Sequence, residues 1–158
     1  MYYLMIVLLM GVLPIASVLI EQAAGHGDWI ALVGRWFVFW AGGIRLLLAG
    51  VRQIANPAFT ARTIFEIEDL DASKIVVELG FANLAMGLVS VASIVRPDWV
   101  LPAAIVTGLY YGLAGIRHIA NTGRNRIETW ATVSDLWIFV VLAAYAVNPG
   151  IPGTGDAI

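Results

Sequence analysis

The stretch LAGVRQIAN at residues 48–56 returns as LAGIRHIAN at residues 113–121, with seven of nine positions identical. Each copy ends a long apolar run, and a weaker match follows each one, VVEL at 76–79 and VSDL at 133–136. Short matches of this kind also arise from the limited choice of residues in membrane helices. The order of the two matches nevertheless favours duplication, so we expect a helical hairpin to occur twice in the fold.

The composition is that of a membrane protein. Hydrophobic residues make up 60% of the chain and charged residues 13%, and the mean hydropathy is +0.85. Soluble domains have about 45–50% apolar and about 25% charged residues. The net charge of -2 and the lack of a basic run argue against nucleic acid as a partner. The chain has no cysteine, which excludes disulfides, thiolate metal sites and a cysteine nucleophile.

Five apolar stretches are each long enough, at about 20 residues, to cross the hydrocarbon core of a bilayer. The first has no basic segment before it and no small-residue cleavage site after it, so it is interpreted as a retained helix rather than a signal peptide. Pro14 within it lacks a backbone donor, which predicts a kink or compensation by a neighbouring helix. The five stretches lie near residues 2–20, 29–51, 75–95, 98–117 and 129–147.

The positions of Lys and Arg predict the orientation. Six basic residues lie in the connections after the second and fourth stretches, whereas the connections on the opposite side hold only Arg96. The positive-inside rule therefore places the N-terminus in the cytoplasm and the C-terminus outside. The six residues are Arg52, Arg62, Lys74, Arg117, Arg124 and Arg126.

The predicted architecture is an all-α integral membrane protein with five transmembrane helices, four of which form a bundle of two parallel helical-hairpin repeats. Residues 1–28 supply the N-terminal helix and an external loop. Residues 29–147 form the four-helix bundle, with one hairpin at 29–95 and the other at 98–147. Residues 148–158 are an external tail.

The second helix is expected to present two kinds of surface. Arg35, Arg45 and Arg52 fall on one face at helical spacing, together with small residues. Bulky apolar side chains fall on the other faces and predict contact with lipid or with a partner subunit. These side chains are Trp36, Phe37, Trp40 and Leu47.

Charged residues inside the spans are expected to form ion pairs, because a lone charge at the centre of a bilayer costs at least about 2.5–3.5 kcal/mol. The depths of the residues favour Arg45 with Asp135, and Arg52 or Arg117 with Glu78. Thr132 lies one turn before Asp135 and is expected to hydrogen-bond in the same cluster.

The same residues also suit a polar pocket in the cytoplasmic half of the bundle. Intramembrane ionisable residues are functional-site candidates by default, and such a pocket would take a quinone, a lipid headgroup or a small substrate. The residues of this network or pocket are Arg45, Arg52, Glu78, Asn83, Tyr110, Arg117, Thr132 and Asp135.

No catalytic or metal-binding motif is recognisable. The two histidines, His26 and His118, are expected on opposite faces of the membrane, which argues against a shared metal ion or haem. The chain contains no glycine-rich phosphate loop, nucleophile elbow or HExxH sequence. We therefore predict no catalytic residue, no metal and no resident cofactor, with quinone or lipid as the ligands that the pocket would accept.

Two stretches resemble the DoxX-like group of small four-helix bacterial membrane proteins. They are GRWFVFWAGGIRLLLAGVRQIANP, beginning at Gly34, and ELGFANLAMGLVSVAS, beginning at Glu78. The resemblance covers roughly residues 34–147, and the N-terminal helix and Arg45 depart from the group's pattern. It implies residence in the bacterial inner membrane and, for some members, association with respiratory or quinone-linked oxidoreductases.

Three functions follow from these observations, in order of preference. The first is a non-catalytic accessory or assembly subunit of a larger membrane complex, with lipids and other membrane subunits as partners. The alternative is a quinone-linked redox or small-molecule-binding membrane protein that uses the polar pocket. The third is a small transporter.

Overall fold

The structure, a computed structural model, describes residues 2–63, 72–121, 123 and 125–149, and the described elements are all helical. Helix α1 comprises Tyr2–Val7, Leu8–Val12 and Leu13–Ala23, and α2 comprises Trp29–Phe37, Val38–Arg45 and Leu46–Ala55. The remaining elements are α3 (Pro57–Thr63), α4 (Ala72–Ala92), a 3-10 turn (Pro97–Trp99), α5 (Val100–Ala120) and α6 (Arg126–Val147).

Five of these helices, all except α3, are long and apolar enough to cross a membrane. The five predicted spans are therefore confirmed, and the chain is a multi-pass membrane protein. Both copies of the nonapeptide stay helical up to their last alanine, Ala55 and Ala120. Asn56 then leaves the helical conformation, with φ -143°, as is usual for a residue before proline.

The helices pack as two hairpins with α1 at one side. Helix α4 lies along the second half of α2, and α6 lies along α5. The first half of α2 also touches α1 and α6, so α2 connects the hairpins. The core between them contains Val38, Ala41, Ala104, Ile138 and Leu142, each at most 1% exposed.

The glycine of each nonapeptide lies at a close approach between its helix and the next membrane-spanning helix. A Cβ on Gly50 would lie 2.7 Å from the Gly80 carbonyl oxygen on α4. A Cβ on Gly115 would lie 2.7 Å from Cδ2 of Leu136 on α6. A side chain at Gly50 would push the backbones of the two helices apart, whereas a side chain at Gly115 would displace the Leu136 side chain, so a small residue packs best at both positions.

Two segments, Leu8–Val12 in α1 and Val38–Arg45 in α2, are π-helical. The wider turn changes the direction of the side chains that follow it. Arg35, before the second segment, contacts Glu21 on α1, whereas Arg52, after it, lies over the ring of Phe59 on α3. The prediction that the arginines of α2 share one face is therefore wrong, because it assumed regular α-helical spacing.

Aromatic donors from the second hairpin bind backbone carbonyls in the irregular parts of α1 and α2. Pro14 has no N–H for the carbonyl of Met10, four residues earlier, and the Trp137 indole donates to that carbonyl at 2.9 Å. The Tyr111 hydroxyl donates to the Ala41 carbonyl in the π-helical segment of α2 at 2.7 Å. The predicted compensation for Pro14 by a neighbouring helix is thus confirmed.

The bulky face of α2 is largely covered by the chain itself. Trp36 and Trp40 donate hydrogen bonds to side chains of α1, and Phe37 is 4% exposed and lies edge-on to Trp137. Leu47 packs against Gly87 on α4. Phe37 is therefore not available to lipid or a partner, whereas Trp36, Trp40 and Leu47 are half-buried, and their contact with lipid or a partner stays a prediction. Within the predicted external tail, residues 150–158 lie outside the described residues.

Candidate functional site: a buried polar layer

One polar residue from each of four helices meets near the middle of the bundle: Arg45 of α2, Asn83 of α4, Tyr110 of α5 and Asp135 of α6. We call these four residues the polar layer. Asn83 is 1% exposed and Asp135 9%. Asn83 forms a side-chain hydrogen bond with the Tyr110 hydroxyl, the charges of Arg45 and Asp135 act on the same hydroxyl, and Arg45 attracts Asp135. Four of the eight predicted site residues are therefore brought together.

Arg45 attracts Asp135 without a direct contact. Among the described residues, the salt bridges are Arg35–Glu21, Arg96–Asp98 and His118–Glu128, and none involves Arg45. The Nε atom of Arg45 is buried and has no hydrogen-bond partner within the described part of the chain. One guanidinium donor is thus buried without an acceptor for its hydrogen bond among the described residues.

Asn83 is satisfied on one side only. Its Nδ2 donates to Oε1 of Gln53 at 2.7 Å, and its Oδ1 is buried with no partner among the described residues. Gln53 belongs to the first nonapeptide and was not predicted as a site residue. The signal for it was its position, since it occupies the variable place that His118 takes in the second copy.

A hydroxyl pair lies beside Gly42 in the same interior. A Cβ on Gly42 would lie 3.1 Å from Oγ1 of Thr107 and 3.2 Å from Oγ of Ser90. Thr107 donates to the Ala103 carbonyl, whereas Oγ of Ser90 has no partner within the residues that the structure describes. Three buried polar atoms, on Arg45, Asn83 and Ser90, are thus left unsatisfied in the bundle.

Further polar residues lie on the buried face of α6, between Asp135 and the end of the bundle at which α2 and α5 terminate. Glu128, Thr132 and Asp135 are 8%, 7% and 9% exposed. Oε1 of Glu128 lies 2.9 Å from Nδ1 of His118 and accepts from Nδ2 of Asn121 at 2.9 Å. Sequence reasoning missed Glu128, although its spacing of four and seven residues from Thr132 and Asp135 places all three on one helix face.

The other predicted site residues lie outside this interior. Arg52 is exposed, with its guanidinium carbon 4.0 Å from the Phe59 ring centre, and Glu78 is exposed on α4. Arg117 is exposed and attracts Glu128. The predicted pairing of Glu78 with Arg52 or Arg117 is not found among the described residues.

A second polar cluster lies at the opposite end, between α1 and α2. Glu21 accepts from Nη1 of Arg35 at 2.8 Å and from Nε1 of Trp36 at 2.6 Å. These residues and His26 line an open cavity of about 370 Å³. Both oxygens of Glu21 are engaged, so this cluster joins α1 to α2. Sequence reasoning missed it because Glu21 stands at the end of an otherwise apolar helix.

An apolar groove of about 600 Å³ runs between α1 and α6 on the outside of the bundle. Its walls include Met10, Gly11, Ile15, Trp130 and Trp137. In the part of the chain that the structure describes, no three His, Asp or Glu side chains converge to hold a metal ion. Neither cavity is lined by a residue of the polar layer, which is a candidate site because two of its buried polar atoms have no partner among the described residues.

The sequence profile of one family, described as a family of unknown function (DUF6790), matches residues 1–147. Because this match covers most of the chain, the chain belongs to that family. No curated protein and no solved structure matches the sequence.

Proposed function

We propose that this member of the DUF6790 family binds a small polar headgroup inside the membrane, in the polar layer, and that the headgroup is of the quinone class. The observation that supports this proposal is the pair of unsatisfied atoms in that layer, Nε of Arg45 and Oδ1 of Asn83. One is a hydrogen-bond donor and the other an acceptor.

A buried polar group without a partner costs about 1–3 kcal/mol, and a bound molecule with complementary groups removes this cost. A quinone carbonyl accepts a hydrogen bond from Arg45, and the hydroxyl of the reduced form donates one to Asn83. The Tyr110 hydroxyl is close enough to interact with Arg45, Asn83 and Asp135 and supplies a further polar contact. Ordered water is the competing occupant, and a binding experiment distinguishes the two.

The experiment measures thermal unfolding of the purified protein in mild detergent with increasing decyl-benzoquinone. A ligand that binds only the folded state at a hundred times its Kd stabilises the protein by about 2.7 kcal/mol. We expect this stabilisation in the natural chain and its loss in Arg45→Lys, which keeps the positive charge but removes the Nε donor. Arg52→Lys is the matched control, because Arg52 is exposed and stacks on Phe59. Equal stabilisation of both variants, or none of the natural chain, would contradict the proposal.

An accessory or assembly subunit of a larger membrane complex is the second candidate. The bulky face of α2 was its main support, and α1 covers most of that face. What still favours it is the apolar groove between α1 and α6, with a volume of about 600 Å³. A small transporter is the third candidate and has the polar layer as its support.

We further propose that the bundle arose by duplication of a hairpin. Gly50 and Gly115 lie at equivalent close approaches to the following membrane helix. Gln53 and His118, which also occupy equivalent positions, each make a polar contact with that helix, to Asn83 and Glu128 respectively. These structural parallels support the repeat in addition to the sequence identity of the two nonapeptides.

The location that we propose is the bacterial inner membrane, with the N-terminus in the cytoplasm and the C-terminus outside. The distribution of Lys and Arg supports the orientation. The resemblance to the DoxX-like group supports the bacterial inner membrane as the location, and this location remains a prediction.

A further inference from the structure

We infer that the buried face of α6 is a proton path, which leads from the end of the bundle near Asn121 to Asp135 in the polar layer. Glu128, Thr132 and Asp135 follow one another on this face, and each is less than a tenth exposed. Chains of Asp, Glu and His side chains inside membranes are the usual means of moving protons there. The path is independent of the headgroup proposed above.

The entrance of the path is the contact between α5 and α6. His118 and Glu128 lie 2.9 Å apart, and their side chains are 15% and 10% exposed. Asn121 donates to both oxygens of Glu128, at 2.9 and 3.0 Å, and the exposed Arg117 attracts it. A buried carboxylate is thus held beside an imidazole near the point where the chain leaves the membrane.

The distance to Asp135 requires an intermediate group. Seven residues separate Glu128 from Asp135, which corresponds to about 10 Å along the helix. Thr132 lies between them, and its hydroxyl donates to the Glu128 carbonyl at 2.8 Å. Its oxygen lone pairs therefore remain able to accept from a water molecule, and water molecules on both sides of Thr132 complete the proposed route between the two carboxylates.

The end of the path is the Asp135 carboxylate. The groups that act on it are Arg45 of α2, His118 and Tyr110 of α5. A proton from solvent is taken up by the His118–Glu128 pair and passes to Asp135, whose carboxylate becomes the neutral acid. Release follows the same route in reverse, so charge and atoms balance without a redox partner.

Infrared difference spectroscopy of the full-length protein in detergent tests the path. At acidic pH, the carboxylic-acid band that disappears in Asp135→Asn reports protonated Asp135, and its shift after a change to heavy water reports proton exchange. We expect exchange in Glu128→Gln and in His118→Gln to be about a hundredfold slower than in the natural chain, the lower end of what a positioned proton donor contributes. His118→Gln introduces glutamine, the residue at the equivalent position of the first repeat, Gln53. It tests the path if Glu128→Gln does not fold.

Thr129→Ala is the matched control, because Thr129 is exposed on the same turn as Glu128, and its exchange is expected to equal that of the natural chain. Unchanged exchange in the folded Glu128 or His118 variant would overturn the inference. Equal slowing in Thr129→Ala, or no band that depends on Asp135 at any pH, would do the same. None of these readouts uses a quinone, so failure of the path and failure of the headgroup site are distinguishable.

Discussion

Nε1 of Trp137 lies 2.9 Å from the Met10 carbonyl oxygen, to which it donates a hydrogen bond between the last and first helices of the chain. The carbonyl is available because Pro14, four residues later, has no N–H to offer it. In a bilayer this carbonyl has no water to bind. The carbonyl that a proline in α1 leaves without a donor is therefore bound by a tryptophan of α6, 127 residues after Met10 in the chain.

This hydrogen bond predicts that Trp137→Phe destabilises the protein more in the natural background than in Pro14→Ala. The lost hydrogen bond leaves a buried acceptor unsatisfied, which costs about 1–3 kcal/mol, whereas an alanine in place of the proline supplies its own N–H to the Met10 carbonyl. The measurement is a double-mutant cycle of the free energy of unfolding in detergent. Strictly additive effects of the two substitutions would show that the residues are not coupled.

Three glycines are predicted to differ in their tolerance of alanine. At Gly50 the new methyl group meets backbone atoms of α4, with the Gly80 oxygen at 2.7 Å and the Leu84 nitrogen at 2.8 Å. At Gly115 it meets the end of the Leu136 side chain, which can turn aside. Gly11 has no atom within 4 Å of the new position, so it is the control.

The expected order of destabilisation is Gly50→Ala, then Gly115→Ala, then Gly11→Ala. Overpacking costs about 1–3 kcal/mol, occasionally more, and Gly50→Ala should lie at or above the upper end. Gly11→Ala should be neutral or slightly stabilising, because alanine favours a helix over glycine by about 0.5–1 kcal/mol. Thermal unfolding in one detergent compares the three. A Gly11 variant as unstable as the Gly50 variant would contradict the packing of α2 on α4.

The features that the sequence predicted correctly depend on composition and local chemistry. Apolar runs long enough for a bilayer predicted the five helices, and the missing N–H of Pro14 predicted either a kink or compensation by a neighbouring helix, the second of which is observed. The sequence also predicted that four polar residues lie together, because polar side chains at similar depths in a membrane avoid lipid by contacting one another. These residues are Arg45, Asn83, Tyr110 and Asp135.

The features that the sequence did not predict depend on helix geometry and on packing between distant segments. The π-helical segment Val38–Arg45 has no clear signal in the sequence, and it changes the angle between Arg35, before it, and Arg52, after it. The packing of α1 against α2 partly covers Trp36 and Trp40. Glu128 stands at the start of a helix, where an acidic residue is usually solvated, so its burial came only from the contact with His118 and Asn121.

Gln53 and Asn83 are predicted to show an asymmetric response to apolar substitution. Gln53→Leu removes the oxygen that accepts from Nδ2 of Asn83 at 2.7 Å and should cost about 1–3 kcal/mol. The double variant Gln53→Leu, Asn83→Leu removes both partners and should recover most of this loss, since paired apolar replacement is often nearly neutral. Unfolding in the absence of added quinone measures both. A double variant less stable than Gln53→Leu alone would mean that Asn83 is needed for another contact.

The last prediction concerns which ends of the helices share a side of the membrane, and the cysteine-free chain permits a direct test. Single cysteines replace His26, Arg62, Asp98 and Gly123, which lie in or next to the connections between the five spans. Because successive helices reverse direction, Arg62 and Gly123 should face one side, and His26 and Asp98 the other. The excess of Lys and Arg predicts that the first side is cytoplasmic. In intact bacterial cells, a membrane-impermeant maleimide should therefore label the cysteines at 26 and 98 but not those at 62 and 123. Permeabilised cells are the control, because all four cysteines should react there. Labelling of the cysteines at 62 and 98 alike in intact cells would contradict the alternation of the spans, and the reverse pattern would leave the alternation intact but invert the orientation.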